Sequence, residues 1–318
     1  MSQSSSLVPF GRLRHRLVQE YSSMTGPHDE AEIYALPPGD PGLVGPGSVS
    51  WEVHSDVAAT FFGGLAAIVM EVLHPSVMAG VHDLSGYRDK PFRRARTTHG
   101  YVIVTTFGNT EAAEGLIDRV RRMHERVSGT RPDGVGYRAL DPDLIGWVHT
   151  CIPWAVMRAF ERHNRPLTET ERNRYLAEQA VIGRRGGAGD IPVTTSELRA
   201  YVEAMRPQLE VNDQTREFFE FLFTTELGPR LPAALARLVH IGHVHAAMSV
   251  MPRWARQLTG LEHGPGAQLA LVEPYLRLSA RSLRWAFGTP AFRAMAEARA
   301  AAAVGDAARA PATAELAS

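Results

Sequence analysis

The sequence predicts an all-α fold that forms a single large helical domain. From Trp51 onward, apolar residues recur at three- and four-residue spacing over long stretches, which is typical of amphipathic helices. N-cap residues and prolines stand at the starts of several of these stretches. Only residues 101–107 (YVIVTTF) resemble a strand, and the same segment also fits a helix. With 318 residues, the chain can bury a core without a disulfide or a structural metal.

The distribution of these signals predicts three parts. Residues 1–50 form an N-terminal segment and a loop rich in proline and glycine, and residues 51–303 form the helical domain. Residues 304–318 form the third part, and after Gly305 they contain no large apolar residue except Leu316. We expect this tail to be disordered, because it cannot bury enough apolar surface to fold.

Start and stop signals define the predicted helices in order. The first core helix is expected to end at His74, because a residue that precedes proline avoids the α region. Asn109 is a good N-cap for a helix that Gly129 is expected to terminate. Pro142 starts a further helix, in which Pro153 predicts a kink. The predicted helices are 55–73, 110–128, 142–163, 168–183, 194–209, 213–223, 232–250, 268–287 and 289–303.

Composition excludes several classes of protein. The 34 basic and 34 acidic side chains cancel, which argues against nucleic acid as the main partner. A single cysteine, Cys151, excludes an intramolecular disulfide and any metal site built from several cysteines. The first residues do not resemble a targeting signal, and the most apolar stretch, 57–73, is interrupted by Glu71 and suits a buried helix. We therefore expect a cytoplasmic protein without a membrane span.

The helix predicted over 110–128 carries the most informative candidate residue. His124 lies on its apolar stripe, four residues after Val120 and three before Val127. An imidazole that faces a core either has its nitrogens hydrogen-bonded or binds a ligand such as a metal. Spacing alone favours the hydrogen-bonded histidine and leaves the ligand open.

His149 has a similar position on the next long helix. Ile145, Ile152 and Val156 share its face, so this imidazole is also expected to point inward. Two inward histidines on consecutive helices could bind one metal together, or one could bind it while the other lines the pocket. The spacing does not decide between these arrangements.

Arg93, Arg96 and Thr97 lie on one side of their segment if it is helical. Guanidinium groups beside a hydroxyl suit a carboxylated ligand, for example the propionates of a porphyrin. An isolated arginine cluster is also typical of a solvated helix face.

A second histidine cluster, His240, His243 and His245, offers an alternative. His240 and His243 are about one helical turn apart and could bind a non-haem metal together, with His149 as a possible third ligand. His245 falls on a different face, and no nearby carboxylate completes a facial triad.

A series of short motifs runs from about residue 47 to residue 209 and continues at Pro252-Arg-Trp-Ala-Arg. They are Ser48-Val-Ser-Trp51, Leu73-His-Pro75, Arg93-Arg-Ala-Arg-Thr97, Phe107-Gly108, Val120-Arg-Arg-Met-His124, Val127 with Gly129, Tyr137-Arg-Ala-Leu-Asp-Pro142, Trp147-Val-His149, Pro166-Leu-Thr, and Tyr175 with Glu178. No single motif is specific. In order and spacing, the chain resembles the family that contains the oxygenase MpaB proteins and the latex-clearing rubber oxygenases.

The resemblance implies a non-covalent b-type haem in a pocket between core helices. Its one proximal histidine matches His124, which is therefore the expected iron ligand. Arg93 and Thr97 match an arginine and a threonine that rubber oxygenases keep near the haem. Where that branch has a lysine able to occupy the distal iron position, this chain has Arg96, whose protonated guanidinium is a very poor ligand. We expect an open or water-filled distal side, or a different side chain there.

Together these observations predict a haem-dependent oxygenase that uses dioxygen on a small, largely apolar, unsaturated substrate, by oxidative C=C cleavage or a related oxygenation. Arg93, Arg96 and Thr97 are the expected catalytic residues, and Arg93, Thr97, His124 and His149 are the expected haem contacts.

Rubber oxygenases also use a carboxylate upstream of the arginine, whereas residues 72–82 contain no acid here and only Glu71 and Asp83 flank them. Since no secretion signal is recognisable either, polyisoprene is not the expected substrate. The alternatives are a non-haem metal enzyme that uses His240 and His243, and a non-catalytic helical haem-binding or sensing protein.

Overall fold

A computed structural model describes residues 31–224, 233–262, 264 and 267–309, together with residues 11, 14, 15, 18 and 19. The all-α prediction is confirmed, since the only strands within these residues form one short antiparallel hairpin. A 3₁₀ turn at Arg206–Gln208 and a π-helical turn at Gln268–Val272 accompany the α-helices. The elements are α1 (Ala31–Ala35), α2 (Val49–Ser55), α3 (Val57–Glu71), α4 (Pro75–Leu84), α5 (Pro91–Phe107), α6 (Thr110–His124), β1 (Ser128–Thr130), β2 (Gly136–Arg138), α7 (Pro142–His163), α8 (Glu169–Gly186), α9 (Thr195–Met205), α10 (Asp213–Thr224), α11 (Ala233–Met248), α12 (Arg253–Leu258), α13 (Glu273–Phe287) and α14 (Ala291–Arg309).

The centre of the core is the packing of α3 along α7. A Cβ atom at Gly63 would lie 2.5 Å from Val156 Cα, so the two backbones are in contact and only glycine fits there. The Trp147 indole nitrogen donates to the carbonyl oxygen of Glu71 at 3.2 Å and ties the end of α3 to α7. This close pair of helices forms the rigid scaffold on which the candidate site is built.

The helix predicted over 55–73 corresponds to α3, and the separate short helix α2 precedes it. Asp56 separates the two helices, because its carboxylate accepts from the amides of Ala58 and Ala59 and so caps α3. The axes of α2 and α3 meet at an angle of 89°. No described helix by itself has the length and apolar composition of a membrane span, and this bent pair meets that test only when its two helices are counted together.

The strand-like segment 101–107 is the second half of α5. Ile103 and Phe107 are buried, and Phe107 packs on Trp51 with ring centroids 5.4 Å apart. The β-branched residues of this segment therefore lie in a helix, because tertiary contacts outweigh their local preference for a strand.

The helix predicted over 110–128 starts as expected, with the Asn109 side chain accepting from the amide of Ala112. The predicted end at Gly129 is wrong, because α6 ends at His124. Gly129 lies in β1 instead, opposite Tyr137, and a Cβ there would lie 2.8 Å from the Tyr137 hydroxyl. The glycine therefore allows the Tyr137 ring to pack closely against the backbone, and it does not end a helix in a left-handed conformation.

The C-terminal helix is longer than predicted. It continues to Arg309, whereas its predicted end is at residue 303, and residues 310–318 lie outside the described residues, so the disorder of the tail stays a prediction. Most of residues 1–30 lie outside them as well. Arg299 of α14 is 2% exposed, and its guanidinium links α14 to the proline- and glycine-rich loop through hydrogen bonds. It donates to the carbonyl oxygens of Ile33, Tyr34, Asp40 and Gly108.

Candidate functional site

His124 is the last residue of α6 and is half-buried. Burial lowers the pKa of His124, and the positive charge of Arg94 lowers it further. The imidazole is therefore neutral at neutral pH, which leaves one ring nitrogen with a lone pair that can bind a metal. Partial exposure leaves the ring accessible to a ligand that approaches from the surface.

His149 lies on α7 with its imidazole against α8. A Cβ atom at Gly186 would be 3.0 Å from His149 Nε2, and one at Gly183 would be 3.1 Å from His149 Cβ. The ring of Tyr101 completes the enclosure, with its centroid 5.9 Å from that of His149. Although the residue keeps some accessible surface, burial lowers the pKa of His149 to about 4, and the proximity of His124 contributes. The inward orientation predicted for this histidine is confirmed, and the two imidazoles are electrostatic neighbours.

Glu71 and Arg94 form the charged side of the same region. Glu71 ends α3 and is 6% exposed. Burial raises the pKa of Glu71 to about 7, against the opposing effect of Arg94. The positive charge of Arg94 thus acts on both Glu71 and His124. Sequence reasoning considered Glu71 only as a flanking acid, and the available signal was a single carboxylate at the end of an otherwise apolar helix.

Arg93, Arg96 and Thr97 lie on α5, which is helical as their predicted common side requires. All three are exposed. The Thr97 hydroxyl donates to the carbonyl oxygen of Arg93 at 2.9 Å. Arg94, which follows Arg93 in the sequence and is half-buried, is the arginine whose charge acts on His124. One turn further along α5, a Cβ at Gly100 would meet no atom within 4 Å, so the helix borders open space there.

The histidines of α11 are directed to different neighbours. His240 is buried, and its Nε2 donates to the carbonyl oxygen of Leu222 at 2.7 Å. His243 packs between aromatic rings, and burial lowers its pKa to about 4. His245 lies against the ring of Phe223. Across the part of the chain that the structure describes, no group of three His, Cys, Asp or Glu residues is arranged to hold a metal ion, so the predicted non-haem site has no counterpart there.

Several residues of the sequence motifs have structural roles. His54 is hydrogen-bonded at both ring nitrogens, to Thr106 Oγ1 at 2.9 Å and to the Tyr175 hydroxyl at 2.8 Å. Glu178 accepts from the amide of Ser50 at 2.8 Å and from Arg174 Nε at 2.9 Å. Glu178 therefore forms a structural ion pair with Arg174. These motifs hold the first turn of α2 on α8.

Comparison with known proteins identifies the class of domain. The family described as "ER-bound oxygenase mpaB/B'/Rubber oxygenase, catalytic domain" matches residues 51–285, which is 235 of the 318 residues. Two uncharacterized mycobacterial proteins, Mb2261 of Mycobacterium bovis and Rv2237 of Mycobacterium tuberculosis, are each 38% identical over 92 residues. That alignment covers 27% of this chain and 36% of each relative, so the chain matches about a third of their length. No solved structure matches.

Proposed function

Since this chain belongs to the family of MpaB and rubber oxygenase catalytic domains, we propose that it is a haem b-dependent oxygenase with His124 as the proximal iron ligand. The proposed substrate is a small, largely apolar, unsaturated molecule, and dioxygen is the co-substrate. The proposed reaction is oxidative cleavage of a carbon–carbon double bond or a related oxygenation. A cytoplasmic location remains part of the proposal.

The donor set of the site favours a haem over a bare metal ion. A bare ion usually needs three or more protein ligands, and the described residues provide no such group. A haem iron brings four ring nitrogens of its own and needs one side chain from the protein. The neutral, half-buried imidazole of His124 meets that need, and this observation carries the proposal.

Charged and uncharged side chains of α5 and α7 also support the proposal. Propionate carboxylates pair well with guanidinium groups, and Arg93 and Arg96 are exposed at this position. Arg94 adds a positive charge near His124. His149, held neutral by burial, forms one wall of the proposed pocket.

A haem bound here would supply the iron centre at which dioxygen is activated. The protein contributes orientation and proton chemistry. Neutral His124 offers a nitrogen lone pair, and Thr97 offers a hydroxyl that can exchange its bond to the Arg93 carbonyl for one to substrate or dioxygen. Glu71, with a pKa of about 7, can hold or release a proton at its carboxyl oxygen near neutral pH.

The proposal is tested by haem titration of the purified protein. We expect a Soret band with haem bound in a one-to-one ratio, and at least about tenfold weaker binding in His124→Ala, because that variant loses the side chain that would hold the iron. His243→Ala is the matched control, since it removes a buried imidazole on α11 and is expected to bind haem normally. Equal haem affinity and an identical spectrum in His124→Ala would disprove the ligand assignment.

A second measurement separates an oxygenase from a non-catalytic haem protein. The reduced, haem-loaded protein should consume dioxygen faster when small unsaturated substrates are added. Haem binding without any substrate-dependent oxygen consumption would support the sensing alternative instead.

A further inference from the structure

Pro153 lies in the interior of α7, four residues after His149. Because proline has no N–H group, the carbonyl oxygen of His149 loses its usual helical hydrogen-bond partner. Openings of this kind in a helix are common positions for an inserted side chain or water molecule. The residue that forms one wall of the proposed haem site therefore carries a backbone acceptor that needs another partner.

A cavity of about 10 Å³ lies at this point of α7. A space of this size is close to the smallest that holds one water molecule, and such a water requires two to four polar partners. The residues that border the cavity include His149, Thr150 and Pro153 of α7, Gln179 of α8, and Ile191 and Pro192 of the loop after α8.

Two buried hydroxyl groups near the cavity have no hydrogen-bond partner of good geometry among the described residues. Thr150 is 3% exposed, and its Oγ1 is one of them. The other is the hydroxyl of Tyr201, which is close enough to Thr150 to interact with it but does not reach the geometry of a hydrogen bond. Buried hydroxyls are rarely left unsatisfied, so an orphaned group that borders a water-sized cavity indicates a bound water.

Gln179 supplies a third polar group at the cavity wall. Its amide nitrogen donates to Ser50 Oγ at 2.9 Å, which leaves the amide oxygen as an acceptor. A water can accept a hydrogen bond from Thr150 and donate to the His149 carbonyl and the Gln179 amide. The cavity thus has the volume and the polar groups of a hydration site.

We infer that this cavity binds one ordered water molecule, and that Thr150 acts through it as a positioning residue for the imidazole of His149. The water fixes the α7 backbone at the proline and so fixes the direction in which the His149 side chain leaves the helix. Gly183 and Gly186 leave the ring little room to adjust, since the α8 backbone lies directly against it. The hydration site stands on its own geometry, whereas its bearing on haem binding rests on the proposed function.

The decisive variant is Thr150→Val, which keeps the shape of the side chain and removes the hydroxyl. If the water is present, its loss should raise the equilibrium constant for unfolding about 5- to 30-fold in urea titrations of the full chain. If the cavity is dry, the orphaned hydroxyl is a liability, and Thr150→Val should be neutral or stabilising. A neutral or stabilised variant would overturn the inference.

Tyr201→Phe is the matched control, because Tyr201 carries the other orphaned hydroxyl and is not among the residues that border the cavity. We expect this variant to be neutral or stabilised. An equal loss of stability in both variants would mean that the water lies between the hydroxyls of Thr150 and Tyr201. The inference that it binds the His149 carbonyl oxygen would then be wrong.

The positioning role has a separate readout. In NMR spectra of the full chain, the imidazole resonances of His149 should shift in Thr150→Val and stay at their wild-type positions in Thr150→Ser, which keeps the hydroxyl. Unchanged resonances in Thr150→Val would overturn the positioning role. Neither measurement depends on haem, so failure here is distinguishable from failure of the haem proposal.

Discussion

The two histidine groups of this protein, His124 with His149 and the three histidines of α11, have similar spacing signals and different surroundings. On α11 the imidazole of His240 is used in a hydrogen bond to Leu222, and His243 is packed between aromatic rings. His124 is half-exposed, and a charged arginine acts on it. The comparison teaches that the ability of a histidine to bind a ligand depends on what already occupies its ring nitrogens, which helical spacing does not reveal.

The largest effect on stability is expected on α11. His240→Ala removes a buried side chain and leaves the carbonyl oxygen of Leu222 without its donor, so we expect the free energy of unfolding to fall by about 3 to 4 kcal/mol. Chemical denaturation measures this loss, and haem affinity should be unchanged. His240→Gln, which retains an N–H donor, should lose less. A loss of haem binding in His240→Ala with normal folding would contradict the assignment of haem binding to His124 and not to α11.

Glu71 gives a pH-dependent test on the other side of the comparison. Its folded-state pKa of about 7 lies above the unfolded value of 4.5, so its contribution to stability is full below pH 4.5 and is lost as the pH rises through 7. The difference of 2.5 pH units corresponds to about 3 kcal/mol. In the wild type, the free energy of unfolding from denaturation curves should therefore fall between pH 4.5 and about pH 8. In Glu71→Gln this fall should be absent.

The control for that experiment is Glu220→Gln, which changes an exposed carboxyl of α10 and should follow the wild-type pH dependence. Parallel curves for wild type and Glu71→Gln would show that Glu71 is ionised as readily in the folded chain as in the unfolded one. The carboxylate would then not belong to a buried site.

A smaller effect is expected where α8 meets His149. Gly186→Ala would place a Cβ atom 3.0 Å from His149 Nε2, so the imidazole or the helix must shift. We expect a loss of about 1 to 2 kcal/mol in the free energy of unfolding, together with shifted imidazole resonances of His149. Gly64→Ala is the control, since a Cβ there meets no atom within 4 Å. Unshifted resonances in Gly186→Ala would mean that the ring is not confined by α8.

The smallest effect on stability is expected at Thr97. This residue is exposed and its hydroxyl bonds only to its own helix among the described residues, so Thr97→Val should change the free energy of unfolding by no more than about 0.5 kcal/mol. If the hydroxyl serves the proposed reaction, substrate-dependent oxygen consumption should still fall at least about tenfold. Normal turnover would remove Thr97 from the catalytic residues.

Sequence reasoning was successful where local rules decide. Asn109 and the proline at position 142 start their helices as expected, and the inward orientation of His149 followed from its apolar neighbours on one helix face. It was unsuccessful where a distant partner decides. Gly129 is a glycine because the ring of Tyr137 lies over it, and the charge of Arg94 acts on Glu71 and His124 because the packing of α5 brings it near them.

Local patterns in the sequence were enough to predict that the chain is helical and that His149 faces inward on α7, because periodicity and capping are properties of consecutive residues. It took the packing of distant helices to bring the charge of Arg94 close to Glu71 and His124, to bring His149 near His124, and to pair His240 with the carbonyl oxygen of Leu222. Charges and hydrogen bonds act through space, and the pairs that matter here are separated by many residues along the chain.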